Sequence, residues 1–135
     1  MDVGARRVGL AISDASRTLA RPLETIAVSS EADAVERVAR RIAELHQEDD
    51  GIATIVVGLP SSLDGDATPQ TASVQAFIAR LKTRTDVPIA TEDERLTSRE
   101  AESRLAAREK DWRKRKNQID AVAASVFLQD YLDRR

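Results

Sequence analysis

The strongest constraint on the fold is the run Ile52-Ala53-Thr54-Ile55-Val56-Val57, closed by Gly58. A largely apolar stretch of strand length without polar alternation suits a strand covered on both faces. Such a strand requires helices on either side of its sheet, and the neighbouring patterns supply them. Upstream, Val35, Val38, Ile42 and Leu45 form one helical stripe. Ser30 opens that helix, with Asp33 three residues on as an imperfect capping box. Downstream, Val74, Phe77, Ile78 and Leu81 follow i, i+3, i+4, i+7. The intervening Leu59 to Pro69 is rich in Pro, Ser, Gly and Asp and reads as a loop. Nearer the start, Val8, Leu10 and Ile12 alternate with Gly9, Ala11 and Ser13, the period of a strand. Arg21 to Ile26 reads as a second short strand after a turn-like Ser13–Thr18. Val87 to Thr91 is the next strand, and Thr97 with Glu100 opens a helix to about Leu105. Residues 108–117 read as charged and irregular, and Ile119 to Leu132 as the last helix.

Strands alternating with helices imply parallel pairing late in the chain, whereas the early strands can form a meander. The expected fold is α/β, a mixed sheet covered by helices. Its 135 residues fit one domain over 1–135. A domain of this size buries roughly 68–70% of its unfolded surface, enough for one core.

Composition narrows the chemistry. The chain has no cysteine, which removes disulfides, thiolate metal sites and a cysteine nucleophile, and it suits a cytoplasmic protein. The one histidine, His46, sits on a charged helix and is expected at the solvated surface. No apolar run approaches the ~18 residues of a membrane span, so no membrane partner is expected. The formal net charge is -2. Binding to a polyanion must therefore come from a local basic patch.

Four stretches carry the candidate chemistry: Asp2-Val3-Gly4-Ala5-Arg6-Arg7-Val8-Gly9; Val56-Val57-Gly58-Leu59-Pro60 through Leu63-Asp64-Gly65; Glu92-Asp93-Glu94-Arg95-Leu96-Thr97-Ser98; and Ile119-Asp120-Ala121-Val122-Ala123-Ala124. Each is weak alone. Together, in this order and over nearly the whole chain, they resemble the YqgF/RuvX family, described both as Holliday junction resolvases and as pre-16S rRNA nucleases. The resemblance implies an RNase H-like fold, a central mixed five-stranded sheet flanked by helices, with the first three strands antiparallel. It also implies a Mg²⁺- or Mn²⁺-dependent nuclease. The matching motifs assign Asp2, Asp120 and Glu94 or Asp93 as catalytic carboxylates, with Asp2, Glu94 and Asp120 holding metal. Structured RNA is the implied substrate, branched DNA the alternative, and a non-catalytic nucleic-acid-binding factor the reading from another class. A homodimer is left open.

The residues agree with that chemistry. Phosphodiester hydrolysis needs an activated water and a stabilised leaving oxygen, which two metal ions about 3.5–4 Å apart can supply. Mg²⁺ keeps waters and takes few carboxylates, so three scattered acids suffice. Asp120 stands at a helix start, where the dipole favours its ionised form. Ala123 and Ala124 are small enough for that helix to approach a sheet closely. Because alternate strand residues face opposite sides, Asp93 and Glu94 should not both line the cleft. Each acid also has an ordinary reading, as a turn residue, an exposed strand end or a dipole-complementing acid; their joint occurrence favours a site. The Gly4/Gly9 spacing is no dinucleotide fingerprint, since a strand follows it.

Lys110, Arg113, Lys114, Arg115 and Lys116 surround the single acid Asp111, with Trp112 among them. A basic loop with one aromatic ring can hold phosphates and stack a base, and a solvated loop with Trp112 in the core is the plainer reading. Arg6, Arg7 and Arg95 flank the acids and complete the expected nucleic-acid rim. Family members usually carry several apolar residues before the first Asp. Only Met1 precedes Asp2 here, so either the start is truncated or the first strand is very short.

Overall fold

The computed structural model describes residues 1–48, 51–60, 66–93 and 112–134, and of residues 112–117 the backbone only. Five strands and three helices are seen among them: β1 (Asp2–Val3), β2 (Arg7–Ser13), β3 (Ala20–Ala27), α1 (Glu31–His46), β4 (Ile55–Leu59), α2 (Pro69–Leu81), β5 (Ile89–Asp93) and α3 (Trp112–Asp133). β1, β2 and β3 form an antiparallel sheet, with Asp2 opposite Gly9 and Arg7 opposite Ala27. β4 and β5 form a parallel pair, Ile55 opposite Ile89 through Leu59 opposite Asp93. The sheets meet at Met1. Its ammonium donates to the Val56 carbonyl at 2.6 Å, and the Gly58 N–H donates to the Met1 carbonyl at 2.9 Å. Bonding to the residues on either side of Val57 is the pattern of a parallel neighbour.

The meander and the parallel direction of the later strands are as expected. Strand boundaries differ. β4 and β5 begin at Ile55 and Ile89, later than Ile52 and Val87. Pro88 explains this: it has no N–H to give a ladder, and its carbonyl accepts the Ile55 N–H at 2.8 Å to start the pairing. Helix α1 is capped as anticipated, the Ser30 hydroxyl accepting the Asp33 N–H at 3.1 Å. The Asp33 carboxylate, however, returns to the N–H of Ser29 rather than Ser30. Helix α2 begins inside the presumed loop, with Pro69 in its first turn, where a missing N–H is harmless. Thr68 and Thr71 form a reciprocal capping box there. Helix α3 starts at Trp112, not Ile119, so the basic segment from residue 112 is helical, not a loop. Lys, Arg and Gln are good helix formers, and residues 112–118 contain neither Gly nor Pro. The helix expected from Thr97 lies outside the described residues.

The period of two sorts the sheet's faces. Val8, Leu10, Ile55 and Val57 join Val38, Ile42, Val74, Phe77 and Leu81 in the core shared with α1 and α2. On the other face, Val56 packs with Ala124 and Phe127 of α3, joined by Ala11, Leu128 and Tyr131. Fully burying a side chain such as Phe77 or Phe127 contributes roughly 1.5–3 kcal/mol. Gln129 ties α3 to the start of β3, accepting the Ala20 N–H at 2.9 Å and donating to the Thr18 carbonyl at 2.8 Å.

Candidate active site

One glycine organises the site. Gly9 is buried on β2 and faces α3. A Cβ there would stand 2.1 Å from both the carbonyl carbon and oxygen of Asp120 and 2.6 Å from the Ala121 nitrogen. The helix backbone therefore rests directly on the strand. Ala121 and Ala124, both buried, keep α3 low over the sheet. The strand ladder sets Asp2 opposite Gly9, and residues opposite one another share a face. Asp2 and Asp120, remote in sequence, thus stand on either side of the same glycine, both half-buried.

Arg7 precedes Gly9 by two residues and shares its face. Its Nε donates to Asp120 Oδ2 at 2.8 Å. The Arg7 and Asp120 side chains remain 42% and 24% exposed, so the pair contributes about 1 kcal/mol or less.

On β5, Glu92 is opposite Gly58 and Asp93 opposite Leu59. Ala90 is opposite Val56, so Glu92, two residues on, faces α3 with Asp2. Asp93 shares the face of Leu59, which packs on the α1–α2 core, and is exposed at the strand end. Glu92 is only 7% exposed. Its Oε1 pairs with the Arg134 guanidinium without a well-directed hydrogen bond.

A profile of the RuvX Holliday junction resolvases matches residues 1–134. The chain belongs to the RuvX family. Among the relatives of this RuvX chain, a Chloroflexus aggregans protein is 44% identical over 135 residues, covering 100% of this chain and 92% of its own. A Roseiflexus protein is 41% identical over 133 residues, 98% of this chain and 91% of the relative. One from Desulforudis audaxviator is 37% identical over 135 residues, 100% and 92% respectively. All three carry the name "Putative pre-16S rRNA nuclease".

Of the residues expected at the RuvX site, the structure brings Asp2, Asp120 and Arg7 together around Gly9. Asp93 lies on the other sheet face. Glu94, Arg95 and Lys110 lie outside the described residues. Trp112, Arg113, Lys114, Arg115 and Lys116 occupy the first turns of α3, on the same helix as Asp120. Arg6 is exposed beside β2. Among the described residues no group of three or more His, Cys, Asp or Glu is placed to hold a metal. Asp2 and Asp120 offer the hard oxygen donors that a divalent cation such as Mg²⁺ takes. His46 is exposed, and its Nδ1 accepts the Ile52 N–H at 3.2 Å. Two features escaped sequence reasoning. The Arg7–Asp120 pair was legible only as shared strand parity with Gly9. The burial of Glu92 had no signal, since a Glu near a strand end reads as solvated.

Proposed function

We propose that this chain is a metal-dependent nuclease that hydrolyses phosphodiester bonds in the maturation of pre-16S ribosomal RNA. The observation that carries the reading is the meeting of Asp2 and Asp120 at Gly9. The names of the full-length relatives supply the substrate. In this reading the two sheets act as one mixed five-stranded RNase H-like sheet, ordered β3-β2-β1-β4-β5 and joined through Met1, within a single domain. Asp2 and Asp120 hold Mg²⁺ or Mn²⁺. Of Asp93 and Glu94, Glu94 is the favoured third acid, because Asp93 faces away from Asp2. Held there, a divalent metal would supply the charge that activates a water and stabilises the leaving oxygen. The close seat of α3 on Gly9 fixes the spacing of the two acids. Arg6, Arg95 and the basic residues from Lys110 to Lys116 hold the nucleic-acid backbone. Arg113 and Lys116 precede Asp120 by seven and four residues, positions on one helical stripe.

Asp120→Asn tests catalysis. Losing a metal ligand should lower cleavage by at least about 100-fold, beyond the 10–100-fold typical of losing a ligand's hydrogen-bonding partner. The variant should keep its fold by circular dichroism. Undiminished cleavage of a pre-16S fragment would reject the site, and no cleavage by the wild type would leave a binding protein. The family's description as Holliday junction resolvases supports a second reading, cleavage of branched DNA. A four-way DNA junction assayed beside the RNA fragment separates the two.

A further inference from the structure

Arg7 places a guanidinium directly on a proposed metal ligand. Its Nε lies 2.8 Å from Asp120 Oδ2. It reaches there from the strand position two before Gly9, the residue against which the Asp120 backbone is seated. Backbone and carboxylate of Asp120 are thus both fixed by β2, through Gly9 and Arg7 respectively. The bond occupies one carboxylate oxygen and sets the plane of the group. The two half-exposed partners make a bond that a competing cation can break, since pairs in contact with water hold weakly.

We infer that Arg7 is a positioning residue and internal counter-ion, which holds Asp120 oriented in the metal-free protein and yields part of that carboxylate when a divalent cation arrives. The inference rests on the proposed metal site at Asp2 and Asp120. The physical need is local. Two carboxylates flanking one glycine repel each other, and Arg7 brings a positive charge of the chain's own to Asp120. The same charge opposes a second cation: a unit charge about 6 Å from a divalent ion in water-like dielectric changes its affinity by about tenfold.

The test uses the full chain, with MnCl2 as the probe and titration calorimetry as the readout. Arg7→Met should bind Mn²⁺ about three- to tenfold more tightly than wild type, and Arg7→Lys, which keeps the charge, should stay within about twofold of wild type. In EDTA, Arg7→Met should lower the melting temperature in the wild-type background and have no such effect in Asp120→Asn. Mn²⁺ binding that is unchanged or weaker in Arg7→Met, or equal melting losses in both backgrounds, overturns the inference. Asp120→Asn separates this failure from that of the metal reading. If that variant binds Mn²⁺ as wild type does, the metal site itself is wrong and the counter-ion role falls with it. If it loses Mn²⁺ while Arg7→Met binds normally, the site stands and only the role of Arg7 is rejected.

Discussion

At Gly9 the absence of a single carbon sets the geometry of the acids. Gly9→Ala would drive a Cβ to 2.1 Å from the Asp120 backbone, and backbone cannot swing aside as a side-chain end can. Helix α3 would have to lift from β2, disturbing the packing of Val56 with Ala124 and Phe127. Overpacking of this kind costs about 1–3 kcal/mol, sometimes more. Urea unfolding should show the loss as a lower midpoint, and cleavage should fall further than stability accounts for, because Asp120 moves away from Asp2. A variant as stable and active as wild type would show that the helix does not need this seat. The residue was visible in the sequence as part of an alternating strand. What it touches was not, because Asp120 meets it only after the chain has folded.

Among the elements, α3 joins two opposite electrostatic roles. Its first turn carries basic residues and no acid, the arrangement a helix dipole disfavours at its positive end. A bound polyanion would relieve that repulsion. Replacing Arg113, Lys114 and Arg115 together by Ala should weaken nucleic-acid binding and flatten its salt dependence. Each lost phosphate contact changes the log–log slope by about 0.9 on duplex DNA or about 0.7 on single strands. The melting temperature should hold or rise, since Ala is the best helix former and like charges are removed. An unaltered salt slope would assign this turn to solvent. Reading this segment as irregular followed from its charge. Helix formation depends on backbone propensity as well as on an apolar stripe, and here propensity decided.

For the molecule as a whole, acid should be the weak side. The Thr18 N–H, with Ser16 and Leu19, holds the Asp14 carboxyl below its ordinary 3.8. The Ser29 N–H, with Arg37, does the same for Asp33. Arg84 of the segment after α2 lowers Glu36 of α1 from its ordinary 4.5. A carboxyl depressed in the folded state contributes stability that is present above its unfolded value and lost as pH falls through the folded one. Urea midpoints should therefore stay level from neutral pH down to about 5 and decline below about 4.5, where these groups begin to take protons. A midpoint unchanged down to pH 3 would mean that these bonds hold equally in the unfolded chain. No helix among the described residues is long and apolar enough to cross a membrane.

The sequence by itself determined the layered α/β plan, because burial on both faces of β4 and single stripes on α1 and α2 are properties of residue spacing. It also determined the family, because four short motifs in fixed order over one chain length leave little room for coincidence. The pairing of acids across the sheet was decided only by tertiary structure. Asp2 reaches Gly9 through a cross-strand register, and Asp120 reaches it through the packing of a helix more than a hundred residues further along. The sheet face of Asp93 and the burial of Glu92 likewise depend on where β5 starts, which Pro88 and its neighbour Ile55 set together. Local periodicity states which residues share a face. Which faces meet is a matter of contacts between segments, and no window of sequence contains both sides of such a contact.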